Sequence, residues 1–255
     1  MDKYALITGA TSGIGEACAL QFAKLGYSLI LFARREDRLL ALKNKLENDG
    51  INVLTFSVDV RDESQVSSAI NSLSSTVKSN LKVLINNAGL AVGRGVISEG
   101  VIDDWERMID TNIKGLLYVS RFVAPIMQSN KQGHIFNVSS IAGKEVYAGG
   151  NVYCATKHAV DALSKAMRID LVQDNIKVTN VAPGATETEF SIVRFKGDAE
   201  LAKSVYNGFE ALKADDIAEV IVFAATRPAH VNLNDITIMP TAQASATVIY
   251  KNKPE

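Results

Sequence analysis

The amino-acid sequence predicts a single-domain α/β fold in which seven parallel strands form a doubly wound sheet with helices on both faces. Short apolar runs alternate with longer segments of helical period along nearly all of the 255 residues, and this alternation is typical of βαβ units. Most of the apolar runs are continuous, as expected of strands buried on both faces of a parallel sheet. No linker, repeat or low-complexity tract divides the series, so one domain over residues 1–255 is expected.

The individual elements follow in chain order. The predicted strands are YALIT (4–8), SLILFA (28–33), INVLTFSV (51–58), LKVLINN (81–87), HIFNVSS (134–140), IKVTNVA (176–182) and a last strand near 235–239. The predicted helices are a first one with apolar positions Ile14, Ala17, Cys18, Phe22 and Leu25, then helices near 36–49, 62–78, 102–129, 151–173 and 215–226. Segment 186–213 lacks a strand pattern and is expected to form a substrate lid. The chain ends in the polar tail YKNKPE.

Composition excludes several classes of function. The formal net charge of -1 gives no electrostatic footprint for nucleic acid or an acidic membrane surface. Two cysteines without CxxC spacing indicate neither a disulfide scaffold nor a zinc site, and the three scattered histidines, His134, His158 and His230, indicate no metal. No signal-peptide pattern and no apolar stretch near the roughly 20 residues of a membrane span is found. A cytoplasmic protein without a membrane anchor is therefore expected.

A glycine-rich turn, TGATSGIG (8–15), directly follows the first strand and leads into the first helix. In a parallel sheet this turn binds a dinucleotide pyrophosphate, because glycines let the backbone approach closely and the helix N-terminus presents unpaired N–H groups. The spacing is GxxxGxG, so a tight connection without a ligand is the alternative; its place at the head of a βαβ unit favours the cofactor. The predicted contacts are Gly9, Thr11, Ser12, Gly13, Ile14 and Gly15.

The residues after the second strand favour NADP as this dinucleotide. An acidic residue there would bind the ribose 2′-hydroxyl of NAD, whereas Arg34 and Arg35 offer positive charge to the 2′-phosphate of NADP. A guanidinium group also matches phosphate in bidentate geometry. The alternative is that RREDR (34–38) is only the charged start of a helix.

Two further strand ends are expected to contact the cofactor, since ligands of open α/β sheets bind at the carboxyl ends of the strands. Asp59 and Val60, at the end of the third strand, are expected to meet the adenine. At the end of the fourth, Asn87, Ala88 and Gly89 bring backbone and amide groups to the same rim.

Tyr153 and Lys157 lie four residues apart in NVYCATK (151–157), at the start of a predicted helix. One helical turn places such residues on one face with Cβ atoms about 5–6 Å apart, so the ammonium group can approach the phenol. A free phenol has a pKa of about 10, and a nearby ammonium group together with an oxidised nicotinamide would lower that pKa toward working pH. The alternative is an ordinary pair on a solvated helix face, and the rest of the chain decides between them.

Taken together, the motifs resemble the short-chain dehydrogenase/reductase family over nearly the whole chain. The residues that carry the resemblance are, in order, TGATSGIG (8–15), NNAG (86–89), Asn112, Ser140, Tyr153 with Lys157, and Pro183–Gly184 with Thr188. The resemblance implies a Rossmann-type subunit, usually a homotetramer, that transfers hydride between a nicotinamide cofactor and a carbonyl or alcohol. It also implies that Pro183, Gly184 and Thr188 contact the cofactor, as do Tyr153 and Lys157.

The same resemblance assigns the catalytic roles. Tyr153 matches the proton donor and acceptor, Lys157 its activator, and Ser140 the group that polarises the substrate oxygen. Asn112 matches the anchor of a proton-relay water. Ser139 is the alternative to Ser140, but the interval of thirteen residues to Tyr153 favours Ser140.

Segments outside these motifs narrow the resemblance to one branch of the family. They are DDWERMIDTN (103–112), YAGGNVY (147–153), TEFSIVRFKGD (188–198) and RPAHVNLNDITIMPTAQ (227–243). They resemble bacterial NADP-dependent 3-hydroxy acid dehydrogenases, which also act on L-serine and L-allo-threonine, and their yeast relatives. The implied reaction is oxidation of a short 3-hydroxy acid, 3-hydroxypropionate included, or reduction of the matching semialdehyde or 3-oxo acid.

A substrate with a carboxylate or sulfonate group needs a cation near the site, and Arg194 in segment 186–213 is the candidate, since arginine binds such groups bidentately. The alternative is a surface arginine, or one paired with Glu187 or Glu189. Ser140 and Tyr153 are the other predicted substrate contacts.

Two other functions stay open at this point. The same branch resembles sulfoacetaldehyde reductases, which form isethionate with NADPH. A non-catalytic NADP-binding regulator is a further alternative, although the presence of Tyr153, Lys157, Ser140 and Asn112 argues against it.

Overall fold

Strands and helices alternate throughout residues 3–252, the part of the chain that the computed structural model describes. The strands are β1 (Lys3–Thr8), β2 (Tyr27–Ala33), β3 (Val53–Ser57), β4 (Leu81–Asn86), β5 (Gly133–Val138), β6 (Ile176–Pro183), β7 (Thr186–Glu187), β8 (Leu212–Lys213) and β9 (Asp235–Ile238). The helices are α1 (Gly13–Lys24), α2 (Glu36–Asn48), α3 (Glu63–Asn71), α4 (Ser75–Ser79), α5 (Ile102–Ile109), α6 (Leu116–Ser129), α7 (Asn151–Leu171), α8 (Phe190–Arg194), α9 (Ala199–Ser204) and α10 (Ala214–Ala225).

The predicted seven-stranded parallel sheet is confirmed. Its strand order is β3-β2-β1-β4-β5-β6-β9, and every neighbouring pair is parallel. The strand order reverses between β1 and β4. In open α/β sheets this reversal opens a crevice at the carboxyl ends of the strands, where ligands bind.

Both faces of the sheet are covered, which explains the continuous apolar runs. In β1, Ile7 packs with the α1 and α10 side of the sheet, while its neighbour Leu6 packs with the α3 and α6 side. Both side chains are fully buried, because successive residues of a strand point to opposite faces. The predicted core position Cys18 belongs to the core on the α1 and α10 side. Cys154 packs in a separate apolar cluster near the carboxyl end of the sheet.

Three predicted elements differ in detail. The helix expected over 62–78 is two helices, α3 and α4, and the Ser74 hydroxyl caps the second by accepting from the Val77 N–H at 3.3 Å; serine side chains favour such caps over helix interiors. The strand expected over 51–58 is shorter, since β3 covers Val53–Ser57. Between α5 and α6 the backbone follows a π-helical segment, Asp110–Gly115, a feature frequent at functional sites.

The expectation that segment 186–213 lacks a strand was wrong. Its two ends form the short parallel pair β7 and β8, with α8 and α9 between them. Strands of two residues have no readable alternation, so the sequence pattern does not reveal them. Their pairing brings both ends of the segment together beside the carboxyl end of β6.

Within residues 3–252, no helix combines the length and the apolar character needed to cross a bilayer. The predicted polar tail is described as far as Asn252, and its last three residues, 253–255, lie outside the described residues.

Candidate active site

A cavity of about 930 Å³ opens along the carboxyl ends of β1, β2, β4, β5 and β6 and is bounded on its far side by segment 186–213. Its volume lies in the range of ligand-binding cavities. Most of the predicted site residues line it: Gly9, Thr11, Ser12, Gly13, Ile14, Arg34, Arg35, Asp59, Val60, Asn87, Ala88, Gly89, Ser140, Tyr153, Lys157, Pro183, Gly184, Thr188 and Arg194. Of the predicted residues, Gly15 and Asn112 do not line it.

The glycine turn forms one wall through close backbone approach. Gly9 and Gly13 have φ of +65° and +53°, a conformation that favours glycine. A Cβ atom on Gly9 would lie 2.9 Å from the Asn87 amide nitrogen, and one on Gly13 would lie 3.2 Å from the Thr188 side chain. The Asn87 amide donates to the carbonyls of Thr8 and Gly9 at 3.1 and 3.2 Å, which holds the turn against the end of β4.

Gly15 lies behind the glycine turn. A Cβ atom there would lie 2.3 Å from the Gly9 carbonyl oxygen, so Gly15 allows the first turn of α1 to pack beneath the turn, and its contact with the cofactor stays a prediction. This is the close helix–strand packing for which such turns use their last glycine.

Positive charge collects at the end of β2, as the sequence predicts. Arg34 is exposed and Arg35 is half-buried. The Arg35 Nη2 atom donates to the Ser12 hydroxyl at 2.9 Å, which fixes the guanidinium group on the glycine turn. Across the rim, burial alone would raise the pKa of Asp59, but hydrogen bonds from Arg61 outweigh burial and lower it.

Tyr153 and Lys157 occupy one face of α7, and both are buried. The Lys157 ammonium group lies 5.9 Å from the centroid of the Tyr153 ring and donates to the Val138 carbonyl at 2.9 Å. Burial lowers the pKa of Lys157 from 10.5 to about 8. The pair is therefore part of the cavity wall rather than of a solvated helix face.

The pKa of Tyr153 differs from the sequence-based expectation. Burial raises the pKa of its phenol above the ordinary value, and the neighbouring Tyr147 raises it further, while Ser140 and Arg194 oppose the shift. The expected lowering by Lys157 is absent because a buried phenolate loses solvation, and the ammonium group is directed at Val138. In the chain alone, the phenol is neutral at physiological pH.

The two adjacent serines differ in availability. Ser139 is buried and its hydroxyl donates to the Lys157 carbonyl at 3.1 Å. Ser140 follows β5, is less buried, and its Oγ accepts from the Ala142 N–H at 3.1 Å. The Ser140 hydroxyl also makes a long contact of 3.4 Å to the Pro183 carbonyl and lies close enough to the Tyr153 phenol to oppose the rise of its pKa.

The Asn112 side chain is fully engaged inside the protein. Its Oδ1 accepts from the Leu90 N–H at 2.8 Å, and its Nδ2 donates to the Leu90 carbonyl at 2.8 Å and to the Thr156 hydroxyl at 3.0 Å. Asn112 thereby joins the π-helical segment, the connection after β4 and helix α7 behind the cavity. Its amide group holds these elements in place rather than facing the cavity.

Arg194, at the end of α8, points at the predicted catalytic tyrosine. Its guanidinium carbon lies 5.6 Å from the Tyr153 ring centroid, and its Nη2 donates to the Tyr147 hydroxyl at 2.9 Å. The buried Nε atom has no hydrogen-bond partner among residues 3–252. The alternative of an ion pair with Glu189 is excluded, because that carboxylate binds Arg35 and Arg38.

Sequence reasoning missed several side chains that line the same end of the cavity: Tyr147, Phe190, Tyr206 and Gln243. Tyr147 holds Arg194, and Phe190 lies 5.7 Å from Tyr153 between ring centroids. The Gln243 Oε1 atom accepts from the Ala185 N–H at 2.7 Å. Tyr147, Phe190 and Gln243 lie in segments that carry the resemblance, but the resemblance assigned them no role. The folded chain brings all four side chains to one cavity.

The histidines and the acidic side chains of the described residues are dispersed or bound to other groups. Residues 3–252 hold no group of three or more His, Cys, Asp or Glu side chains with the geometry of a metal site. The ring of His134 is buried in β5 against the Thr179 hydroxyl at 2.8 Å, and His158 Nδ1 bonds the Cys154 carbonyl at 2.9 Å.

This geometry agrees with what comparisons with known proteins find. Residues 3–198 match the family model described as short chain dehydrogenase, and the chain belongs to this family. The NADP-dependent 3-hydroxy acid dehydrogenase YdfG of Salmonella typhi is 46% identical over 242 residues, which are 94% of this chain and 96% of the relative.

Two further relatives are informative. Sulfoacetaldehyde reductase 2 of Chromohalobacter salexigens is 44% identical over 96% of each chain. The closed form of a serine dehydrogenase complexed with NADP+ superposes with a TM-score of 0.90 at 40% identity, covering 98% of this chain and 100% of that one. The chain is thus similar over nearly its full length to dehydrogenases and reductases of small hydroxy acids and aldehydes.

Proposed function

We propose that the reaction of this NADP-dependent oxidoreductase is the interconversion of a short 3-hydroxy acid and the matching semialdehyde or 3-oxo acid. The observation that carries the proposal is the position of Arg194, whose guanidinium group lies 5.6 Å from the Tyr153 ring in the cavity lined by Ser140 and Lys157. A reacting oxygen at Tyr153 leaves a carboxylate two carbons away within reach of that guanidinium group.

The residues present fit the cofactor. The close approach of Gly9 and Gly13 to their neighbours leaves a backbone wall without side chains, which suits a pyrophosphate. The two residues that directly follow β2, where a 2′-phosphate would be bound, are Arg34 and Arg35 rather than a carboxylate that would prefer a 2′-hydroxyl. When bound, the nicotinamide supplies or accepts the hydride.

The chain's own groups then handle the proton and the orientation. In reduction the Tyr153 hydroxyl donates its proton to the substrate oxygen, and in oxidation the Tyr153 phenolate accepts the proton of the substrate hydroxyl. The Ser140 hydroxyl holds the same oxygen. Lys157, with a pKa of about 8, is mostly protonated at neutral pH and favours the phenolate when Tyr153 gives up its proton. The role of Asn112 as anchor of a relay water stays a prediction.

The charges of the cavity favour substrates without an ammonium group. Among the described residues that line it, the acidic side chains are Asp59 and Glu189, and both are paired with arginines. The α-ammonium group of L-serine or L-allo-threonine therefore has no free carboxylate to meet, whereas 3-hydroxypropionate needs only the cation. We infer a preference for 3-hydroxypropionate and malonic semialdehyde over the amino acids.

Reduction of sulfoacetaldehyde is the second candidate function. A sulfonate has the same charge as a carboxylate and binds the same arginine, and the relative from Chromohalobacter salexigens supports it. We also propose that segment 186–213 is the substrate lid, because it presents Arg194 to the cavity. A homotetramer in the cytoplasm stays a prediction from the resemblance, and size-exclusion chromatography with light scattering tests the assembly.

An initial-rate panel tests the function. NADPH oxidation is followed by absorbance with malonic semialdehyde and sulfoacetaldehyde, and NADP+ reduction with 3-hydroxypropionate, L-serine and L-allo-threonine, for the wild type and Tyr153→Phe. Loss of the acid/base group should lower kcat by about 10²–10⁴-fold, while Tyr250→Phe, at an exposed tyrosine, should keep the wild-type rate. An active Tyr153→Phe variant would refute the acid/base role, and a wild type inactive on every substrate would favour the non-catalytic regulator.

A further inference from the structure

Glu189 lies at the start of the proposed lid, and its carboxylate contacts two arginines of the β2–α2 region. Its Oε2 atom accepts from Arg35 Nη1 at 2.9 Å, and its Oε1 atom accepts from Arg38 Nη1 at 2.7 Å. These hydrogen bonds, first that from Arg38 and then that from Arg35, lower the pKa of the Glu189 carboxyl. The negatively charged Glu189 carboxylate therefore contacts Arg35, an arginine that is expected to bind the 2′-phosphate of the cofactor.

Arg35 does not depend on Glu189 for its position. Its Nη2 atom donates to the Ser12 hydroxyl at 2.9 Å and approaches the Thr11 carbonyl and hydroxyl at 3.4 Å. The glycine turn thus fixes one side of the guanidinium group, and Glu189 occupies the other. A phosphate that binds Arg35 needs donors on the side that Glu189 holds.

We propose that Glu189 competes with the 2′-phosphate of the cofactor for Arg35 and is therefore a residue that determines how tightly, and how selectively, NADP is bound. This inference rests on the proposed NADP-dependent function. Two anionic groups that share one guanidinium repel each other, so phosphate binding breaks the Arg35–Glu189 contact. Because Arg38 binds the other carboxylate oxygen, Glu189 keeps one of its two contacts to this side of the fold. Binding of the 2′-phosphate and anchoring of the lid are thereby coupled.

The test uses a variant that removes the charge and keeps the shape, Glu189→Gln. Glu187→Gln is the matched control, because Glu187 is exposed two residues away and has no ion pair within residues 3–252. Isothermal titration calorimetry measures Kd for adenosine 2′,5′-bisphosphate, 5′-AMP, NADP+ and NAD+. Glu189→Gln should bind the bisphosphate and NADP+ about three- to tenfold more tightly, and 5′-AMP and NAD+ within about twofold of the wild type.

Glu189→Ala provides a second variant, which should shift the affinities in the same direction. Thermal unfolding of each variant identifies any loss of fold. The proposal is overturned if affinity for the bisphosphate is unchanged or weaker, if 5′-AMP gains equally, or if Glu187→Gln gives the same gain. A wild type with no preference for NADP+ over NAD+ would instead refute the proposed cofactor, so the two failures are distinguishable.

Discussion

The guanidinium group of Arg194 lies between two tyrosine rings, 5.6 Å from the centroid of Tyr153 and 5.3 Å from that of Tyr147. It donates a hydrogen bond of 2.9 Å to the Tyr147 hydroxyl, while its buried Nε atom has no hydrogen-bond partner in the part of the chain that the structure describes. A buried donor without a partner is costly to leave unsatisfied. The arrangement supports the proposal that Arg194 binds the anionic group of the substrate beside the Tyr153 hydroxyl, and it leads to the first two predictions.

Arg194→Met should lower kcat/KM selectively for acidic substrates. The loss of a charge-assisted contact of about 1.5–3 kcal/mol predicts a decrease in kcat/KM of roughly tenfold to more than hundredfold for malonic semialdehyde. A neutral aldehyde of similar size should change little. Arg94→Met is the control, since Arg94 lines the same cavity and is exposed. Equal losses for acidic and neutral substrates would mean that Arg194 only supports the fold.

Tyr147→Phe should act through Arg194. Without the hydroxyl, the Nη2 atom loses its partner and the guanidinium group is less well oriented, at a cost of about 1 kcal/mol. We expect KM for the acidic substrate to rise about fivefold, with kcat within about twofold. In the Arg194→Met background the same substitution should have little further effect. Additive losses in the double variant would contradict this coupling.

The burial of Lys157 should make the free energy of unfolding depend on pH. Its folded-state pKa of about 8 lies below the ordinary 10.5, so the unfolded chain binds more protons between these values and stability rises with pH there. Burying the charged ammonium group costs up to about 3 kcal/mol of folding free energy, and this cost is fully present below pH 8. Lys157→Met removes it. Urea unfolding should therefore give a larger gain, or smaller loss, for the variant at pH 7 than at pH 10. A difference between variant and wild type that does not change with pH would show that Lys157 is not desolvated.

Gly15→Ala should destabilise the fold, because its Cβ atom would lie 2.3 Å from the Gly9 carbonyl oxygen, which cannot move without opening the turn. A loss of about 1–3 kcal/mol in the free energy of unfolding is expected. Gly95→Ala, where the added Cβ atom meets nothing within 4 Å, should stay within about 0.5 kcal/mol. Comparable denaturation midpoints for the two variants would refute the packing role of Gly15.

Much of the fold was predictable because its signals are local. Continuous apolar runs predict strands buried on both faces, and the seven strands of the main sheet and their parallel arrangement are confirmed. The errors arise where neighbouring residues give no periodic signal, as in the two-residue strands β7 and β8 and in the serine-rich break between α3 and α4. Short polar segments form whatever structure tertiary contacts and caps allow.

The site was predictable to the extent that motifs place residues at strand ends. The glycine turn, Asn87, Ser140 and Tyr153 come together because parallel strands end at one edge. The direction in which a side chain points is not encoded in its spacing. Asn112 faces the protein interior although it lies in a motif, and Gly15 packs under the turn that it helps to define.

The sequence by itself determined the seven strands of the main sheet, the edge of the sheet that carries the candidate site, and the candidate residues for proton transfer, since each depends on periodicity or on fixed spacing. Only the tertiary structure decided which charges are paired. Within residues 3–252, Arg194 forms no ion pair, and Glu189 is held by Arg35 and Arg38. The phenol of Tyr153 is held neutral because its surroundings remove water. Ion pairing and burial depend on residues far apart in the chain, and their energies are set only when folding brings these residues together.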